Sequence, residues 1–411
     1  MDRTFEQVRS GAPNRGQCRI WESSLHVVPR ILAPSHLGFD RKVAQAPTLP
    51  VSEAHVKHAA LVLLTLTGIL LTSCGTRHDA PPAPSAQTAP SAQSAPSYFD
   101  NAGRTDVLGG GARMIPISTP KGEFHVWTKR VGNNPRIKVL LLHGGPALTH
   151  EYFEAFDSYF PGAGIEYYYY DQLGSAYSDQ PTVPSLWDLP RFVEEVEQVR
   201  QALGLDKDNF YLLGHSWGGL LAIEYALKYQ QHLKGLIISN MVASIPAYND
   251  YATTVLMPAM DQKALAEIKE LEASGKTDDP RYMELLIPNH YEQHVLRMPA
   301  SQWPDPVNRA LKHVNSQIYV MMQGPSELGA GGTLVNWDRS ADLGKISVPT
   351  LMIGAKYDTM DPKYMEMMAG KVQKGRYLYC LNGSHMAIYD DQAIYMDGVT
   401  RFLLDTDAGR F

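Results

Sequence analysis

Short apolar runs alternate with helical patterns along most of the chain. Four of the runs are continuous rather than alternating, which is typical of strands buried on both faces: those within RIKVLLLHGG, IEYYYYDQLG, FYLLGHSWGG and LKGLIISNM. Between the second and third runs, LWDLPRFVEEVEQVRQALGL has apolar residues at helical spacing and ends near Gly204. Strands that alternate with helices predict a mostly parallel sheet flanked by helices.

Two further pairs of segments complete the pattern. RMIPIS and FHVWTKR alternate apolar and polar positions, which predicts an antiparallel hairpin. VPTLMIGAKYD and RYLYCLNGSH predict two more strands, and an interruption at residues 242–339 precedes them. The interruption is rich in Met, Tyr, Trp and Pro and contains helical patterns such as DQKALAEIKELEAS. We therefore predict eight strands within residues 98–241 and 340–411, with a helical cap inserted after the sixth strand.

The stretch FYLLGHSWGGLLAIEYALKY predicts a sharp turn between a strand and a helix. Its residues Gly214, His215, Ser216, Trp217 and Gly218 read G-x-S-x-G. Such a turn leaves almost no space for side chains beside the serine, which explains glycine on both sides. The Ser216 hydroxyl would stand at a helix N-terminus, where developing negative charge is favoured. A plain N-capping serine is the alternative interpretation of this motif on its own.

Two more polar residues follow predicted strands. Asp358 comes after the strand predicted at 350–353, and His385 comes after the strand predicted at 377–380. In parallel sheets, chemistry gathers at the carboxyl ends of the strands. The order serine, acid, histidine is the one used by α/β-hydrolases. We therefore predict an α/β-hydrolase fold with Ser216, Asp358 and His385 as its catalytic triad.

These residue types suit nucleophilic catalysis. Serine is a poor nucleophile until a base takes its proton, and His385 would be that base and later the acid that protonates the leaving amine. Asp358 would fix the tautomer of His385 and stabilise its charged form. The backbone amides of Trp217 and Gly145 are the predicted oxyanion hole. We expect neither a cofactor nor a metal.

Composition and charge exclude few classes of protein. The 411 residues are 44% hydrophobic and 19% charged, as in ordinary globular proteins. The net charge is -6 and no basic stripe is present, so we expect no nucleic-acid partner. Cys18, Cys74 and Cys380 lie far apart in the sequence and form no metal-ligand cluster. We expect Cys380, at the end of a strand pattern, to be a small buried hydrophobic residue.

The N-terminal residues predict export and a lipid anchor. Residues 59–71 form an apolar run of signal-peptide length, for which a buried core helix is the alternative, and LTSC at 71–74 resembles the bacterial lipobox. We predict a signal peptide at 56–74, lipidation of Cys74, and a disordered Pro/Ala/Ser tether at 75–97. The lipoprotein would face the periplasm or the cell exterior, on the outer membrane of a Gram-negative cell. Residues 1–55 would be a disordered leader or would precede the true start.

Six motifs together resemble the proline iminopeptidase group of serine peptidases, including its tricorn-interacting aminopeptidase branch: HGGP at 143–146, DQLG at 171–174, GHSWGG at 214–219, QGPSELGAGGT at 323–333, GAKYD at 354–358 and GSH at 383–385. The resemblance runs from about Met114 to the C-terminus. It implies removal of N-terminal residues, often proline, from small peptides or amino-acid amides. It also implies that Glu327, in the QGPSEL motif, binds the ammonium group of the substrate.

The sequence departs from the family pattern in three motifs. Ala147 stands where the family's HGGPG ends in glycine, and DQLGSAYS at 171–178 lacks an arginine and a glycine of DQRGxGxS. Thr359 stands where the tricorn-interacting branch has a glutamate that helps to hold the substrate's amino group. The resemblance therefore implies that one of two amine anchors is missing, while Glu327 is retained.

Two alternatives to an aminopeptidase remain open. One is an esterase, lactonase or acyl-amidase with the same triad and no amine requirement, and the other is a non-catalytic binding lipoprotein on a hydrolase scaffold. His290 and His294 are spaced like a metal-binding pair, but HYEQH is not H-E-x-x-H and no third ligand is evident, so we expect structural roles. We expect Glu284 to lie on a solvated helix face.

Overall fold

The computed structural model of the chain describes residues 97–411, so the predicted signal peptide and Cys74 lie outside the described residues. The strands are β1 (Ala112–Thr119), β2 (Gly122–Val131), β3 (Lys138–Leu142), β4 (Glu166–Asp171), β5 (Phe210–His215), β6 (Gly235–Ser239), β7 (Thr350–Ala355) and β8 (Gly375–Cys380). They form one eight-stranded sheet in the order β1-β2-β4-β3-β5-β6-β7-β8. β1, β2 and β4 pair antiparallel, and all the other pairs are parallel. The predicted hairpin and the mostly parallel eight-stranded sheet are confirmed.

Helices cover both faces of this sheet. They are α1 (Leu189–Leu203), α2 (Trp217–Tyr229), α3 (Ile245–Tyr251), α4 (Met257–Ala259), α5 (Gln262–Ala273), α6 (Pro280–Leu286), α7 (Asp305–Lys312), α8 (Ser316–Met322), α9 (Pro362–Lys371), α10 (Ala387–Asp390) and α11 (Gln392–Asp407). α1, α2 and α9 pack in one apolar cluster, while α10, α11 and the 3₁₀ segment His150–Ser158 pack in the other. None of the helices between residues 97 and 411 is long and apolar enough to cross a membrane.

The run of four tyrosines in β4 is buried on both faces. Tyr167 and Tyr169 point into one apolar cluster, and Tyr168 and Tyr170 point into the other. Each hydroxyl donates to a carboxylate. Tyr167 and Tyr169 donate to Asp157, Tyr168 donates to Glu166, and Tyr170 donates to Glu195. Buried phenols need such partners, and with them the run forms a core strand.

The chain between β6 and β7 forms the cap. An antiparallel β-bridge between Ser244 and Asp338 joins the two ends of this inserted segment. The cap contains α3 to α8 and two π-helical stretches, Ala252–Leu256 and Ile287–Val295. α7 lies against the 3₁₀ segment of the core, where Arg309 pairs with the buried carboxylate of Glu151 at 2.8 Å. This ion pair ties the cap to the core.

The turn between β5 and α2 is as sharp as the sequence predicts. Ser216 has a φ of 55° and a ψ of −128°, a conformation that ordinary residues rarely adopt. A methyl group added at Gly218 would overlap the carbonyl oxygen of Leu142 in β3, and one added at Gly214 would overlap the carbonyl oxygen of Gly218. Glycine is therefore required here by the close approach of two backbones, in addition to the strained turn.

We expect Gly218→Ala to destabilise the fold by about 1–3 kcal/mol or more, because Leu142 can move only with the sheet. Gly370→Ala is the matched control, since Gly370 lies in α9 with open space around it and should tolerate alanine without loss. Urea denaturation of both variants measures the difference. Equal stability of the two variants would contradict the packing argument.

Candidate active site

The three predicted catalytic residues follow three different strands at the same edge of the sheet. Ser216 follows β5, Asp358 follows β7 and His385 follows β8. All three are buried, with exposed fractions of 7%, 0% and 4% respectively. The Nδ1 atom of His385 lies 2.9 Å from Oδ1 of Asp358. The structure thus forms the acid–base pair and leaves Nε2 of His385 as the nitrogen available to the serine.

His215, the residue before Ser216, fixes the position of the histidine loop. Its Nε2 donates to the carbonyl oxygen of His385 at 2.8 Å, and its Nδ1 accepts from the hydroxyl of Tyr152 at 3.1 Å. Burial lowers the pKa of His215 to about 3, so the ring is neutral at physiological pH. A neutral donor at this position joins the nucleophile turn to His385 without adding a competing charge.

The electrostatics of His385 favour its role as a base. Burial alone would lower its pKa, but the negative charge of Asp358 and the hydrogen bond to it outweigh burial, and the pKa of His385 is raised. The charge of Glu327 acts in the same direction. The imidazolium that forms when histidine takes the serine proton is therefore stabilised before any substrate arrives.

Asn240, which belongs to no motif of the sequence, holds the other side of Asp358. Its Nδ2 donates to Oδ2 of Asp358 at 2.7 Å and also contacts the carbonyl oxygen of Ser384 at 3.3 Å. Its φ of 51° lies in the left-handed region that asparagine tolerates better than most residues. Its position directly after β6, at the same edge as the triad, is the sequence signal that could have identified it.

Thr359 lies beside the acid–base pair and is fully buried. Its hydroxyl is 3.4 Å from Oδ1 of Asp358 and 3.3 Å from Nδ1 of His385. The threonine at position 359 therefore contacts the catalytic pair.

The HGGP turn lies directly over the nucleophile. A Cβ atom built on Gly144 would lie 3.1 Å from Cβ of Ser216 and 3.5 Å from its hydroxyl. The amide of Gly144 already donates to the hydroxyl of Tyr152 at 2.8 Å, and residue 146 is a proline, which leaves Gly145 as the donor of this turn. Trp217 is the first residue of α2, where the amide has no partner within the helix. The geometry is thus compatible with the predicted oxyanion hole.

Gln172 of the DQLG motif connects the two halves of this predicted oxyanion hole. Its side-chain oxygen accepts from the indole of Trp217 at 2.8 Å, and its side-chain nitrogen donates to the carbonyl oxygen of His143 at 3.1 Å. The arginine and glycine that the motif lacks relative to its family are not needed for these contacts. The motif therefore orients the turn that carries Gly145 relative to the helix that carries Trp217.

Glu327 belongs to the cap and is half-buried. The hydroxyl of Tyr319 donates to its carboxylate, and its carbonyl oxygen accepts from the hydroxyl of Tyr248 at 2.6 Å and from Nε2 of His290 at 2.9 Å. Its negative charge is one of those that raise the pKa of His385, so the predicted amine anchor acts electrostatically on the catalytic histidine.

The remaining candidates have structural environments. His290 is buried, and the ring of His294 contacts the carbonyl oxygen of Tyr357 at 2.9 Å. Residues 97–411 contain no group of three or more side chains arranged to hold a metal ion. Glu284 is exposed on α6, 3.6 Å from Arg281, and Cys380 is fully buried, which raises the pKa of its thiol.

The comparisons with known proteins agree with the fold and with the six motifs. The profile of the alpha/beta hydrolase fold family matches residues 138–392, so the protein is an α/β-hydrolase. The proline iminopeptidase of Flavobacterium johnsoniae is 61% identical over 294 residues, covering 72% of this chain and 98% of that protein. The proline iminopeptidase of Elizabethkingia meningoseptica is 60% identical over 300 residues, covering 72% of this chain and 100% of that protein.

A solved structure is similar over the same region. The crystal structure of the proline iminopeptidase of Mycobacterium smegmatis has a TM-score of 0.65 at 25% identity, covering 73% of this chain and 100% of that chain. The chain belongs to the proline iminopeptidase family and is an enzyme of the serine-hydrolase type.

The raised pKa of His385 predicts the pH dependence of hydrolysis. Protonated His385 cannot accept the serine proton, and a raised pKa keeps it protonated to higher pH, so the acid limb of kcat/KM should lie above the ordinary histidine value of 6.5. A pH profile with an uncharged ester, which has no titrating amine, measures this limb. A limb at or below 6.5 would show that Asp358 and Glu327 do not outweigh burial.

Proposed function

We propose that the protein is a serine aminopeptidase or amino-acid amidase that releases N-terminal proline or a small apolar residue through an acyl-enzyme. The observation that carries the proposal is a cap carboxylate, Glu327, whose charge helps to raise the pKa of the catalytic His385. A primary ammonium group, or the secondary ammonium of an N-terminal proline, bound there would place the first carbonyl carbon of a peptide near Ser216. The high identity to proline iminopeptidases supports the same substrate class.

The reaction would follow the order that the residue types dictate. Ser216 attacks the first carbonyl carbon while Nε2 of His385 takes its proton, and Asp358 stabilises the imidazolium. The amides of Gly145 and Trp217 bind the tetrahedral oxyanion. His385 then protonates the departing amine. Water next attacks the acyl-enzyme while His385 takes its proton, and His385 returns that proton to Ser216 as the bond to the amino acid breaks.

Amine recognition would depend on Glu327 with little help from residue 359. The hydroxyl of Thr359 is directed at Asp358 and His385, and its side chain is too short to present a second carboxylate. Assignment to the tricorn-interacting branch therefore rests on the QGPSEL motif, because Thr359 stands where that branch has a glutamate. A single anchor suits short substrates that carry a free N-terminus.

Glu327→Gln tests this assignment because it keeps the shape of the side chain and removes its charge. We expect kcat/KM for prolyl and alanyl chromogenic amides to fall by the equivalent of about 2–4 kcal/mol, since a carboxylate in a dry cleft interacts strongly with a cation. N-acetyl-prolyl amide and a simple ester, which carry no ammonium, should be affected far less. Steady-state kinetics on this panel of substrates provide the measurement.

Two control variants make the result interpretable. Glu284→Gln removes a negative charge from an exposed position of the cap and should leave kcat/KM for all four substrates unchanged. Ser216→Ala should abolish turnover of every substrate, because triad members act as a unit. The aminopeptidase assignment would be wrong if Glu327→Gln lowered kcat/KM equally for charged and uncharged substrates, or if the wild type cleaved only esters. The protein would then be a cap-bearing esterase, lactonase or acyl-amidase.

We also propose that the protein is an exported lipoprotein anchored through Cys74. The support is the apolar run at 59–71, the lipobox-like LTSC at 71–74 and the Pro/Ala/Ser segment after it. A diacylglyceryl group with an N-acyl chain is sufficient for stable anchoring, whereas one acyl chain is marginal. Gly75 follows the cysteine where an aspartate would favour inner-membrane retention, so the outer membrane is the proposed location in a Gram-negative cell.

Cys74→Ala should move the protein from the membrane fraction to the soluble fraction, because the variant has no thiol to acylate. Fractionation of cells that express either form, followed by immunoblotting, provides the measurement. Cys380→Ala is the control and should leave the partition unchanged, since Cys380 is buried in the core. Equal membrane association of Cys74→Ala and wild type would refute the anchor.

A further inference from the structure

One segment of the cap is bonded directly to the catalytic histidine loop. The π-helical stretch Ile287–Val295 continues α6, and its last two carbonyl oxygens point at residues 384–386. The carbonyl of His294 accepts from the amide of His385 at 2.9 Å, and that of Val295 accepts from the amide of Met386 at 2.8 Å. Carbonyls at a helix end have no partner within the helix, so the histidine loop satisfies them.

The same segment also holds the loop of the catalytic acid. Nδ1 of His294 donates to the carbonyl oxygen of Tyr357, the residue before Asp358, at 2.9 Å. The guanidinium of Arg297, two residues after the segment, lies 3.5 Å from the centre of the Tyr357 ring. Burial lowers the pKa of His294, which keeps its ring neutral and uncharged next to the catalytic pair. His294 therefore contacts both loops of the acid–base pair through its ring and its backbone.

The other end of the segment holds the backbone of Glu327. Nε2 of His290 donates to the carbonyl oxygen of Glu327 at 2.9 Å, and the hydroxyl of Tyr291 accepts from the amide of Glu327 at 3.2 Å. Burial lowers the pKa of His290 to about 4, so this ring is also neutral. Two histidines with metal-like spacing thus have different partners, one at the proposed amine anchor and one at the catalytic loops.

We propose that Ile287–Val295 is a positioning segment that fixes the distance between the amine-binding carboxylate and the catalytic centre, and so restricts cleavage to the first residue of the substrate. The inference rests on the proposed aminopeptidase function. His294 is the positioning residue for the Asp358–His385 pair, and His290 is the positioning residue for Glu327. Neither is a catalytic residue, because each acts through the group that it holds.

The two roles predict different kinetic effects, which matched variants can separate. His294→Asn keeps a donor near the position of Nδ1, whereas His294→Leu has a similar size and no donor. His290→Gln keeps a donor near the position of Nε2, whereas His290→Met does not. Gln293→Ala, at an exposed position of the same segment, is the control and should match wild type.

We expect His294→Leu to lower kcat by about 10-fold to 100-fold on both a prolyl amide and an uncharged ester, because small displacements of catalytic groups are costly. His294→Asn should recover most of the loss. We expect His290→Met to raise KM about 10-fold for the prolyl amide alone, since only that substrate uses Glu327, and His290→Gln to restore it. Circular dichroism and thermal unfolding establish that each variant is folded.

Several outcomes would overturn the inference. Unchanged kcat in His294→Leu would show that the loops hold their geometry without the segment, and equal losses in His294→Asn and His294→Leu would show that the donor is irrelevant. An effect of His290→Met on ester and amide alike would also contradict it. Failure of the aminopeptidase assignment has a different signature, because wild type would then show no preference for a free amine while the His294 variants could still be compared on the ester.

Discussion

The close approach of backbones around Ser216 is the constraint on which the rest of the site depends. The turn after β5 brings the start of α2 against the end of β3, with no space for a side chain at Gly214 or Gly218. Because β3 continues directly into the HGGP turn, the same contact places Gly144 over the serine. The nucleophile and the turn that carries the predicted oxyanion donor are therefore positioned by one packing contact, and loosening it would displace both.

A second requirement is that the buried charges of the site be fully bonded. Asp358 has no exposed surface, and a buried carboxylate is costly unless donors surround it. Asn240 and His385 donate to it, and the hydroxyl of Thr359 lies within reach. The neighbouring His215 stays neutral, so the site can accept a proton at one histidine only. Threonine at 359 is consistent with this set of donors around Asp358, since a second carboxylate there would add an unpaired negative charge.

Features encoded within a few residues could be predicted from the sequence, whereas features formed by distant segments could not. The G-x-S-x-G turn, the cap insertion and the positions of Asp358 and His385 after their strands are local patterns. The structure pairs Asp358 with His385 and places Ser216 at the same edge of the sheet. Asn240 looks like an ordinary turn residue, because its bond to Asp358 spans 118 positions. The partners of His290 and His294 are backbone carbonyls 37 and 63 positions away, so their spacing alone suggests only a metal pair.

Glu327 has an electrostatic consequence that connects substrate binding to the chemistry. In the free enzyme, His385 lies within the fields of three carboxylates, those of Asp358, Glu327 and Asp390, and all three favour its protonated form. A substrate ammonium bound at Glu327 would neutralise the field of that carboxylate, so the pKa of His385 would fall when a substrate with a free amine arrives. His385 would then become a competent base at a pH where the empty enzyme is still partly protonated. A single amine anchor would thus select the substrate and also adjust the base for it, whereas an N-acylated substrate would gain neither effect.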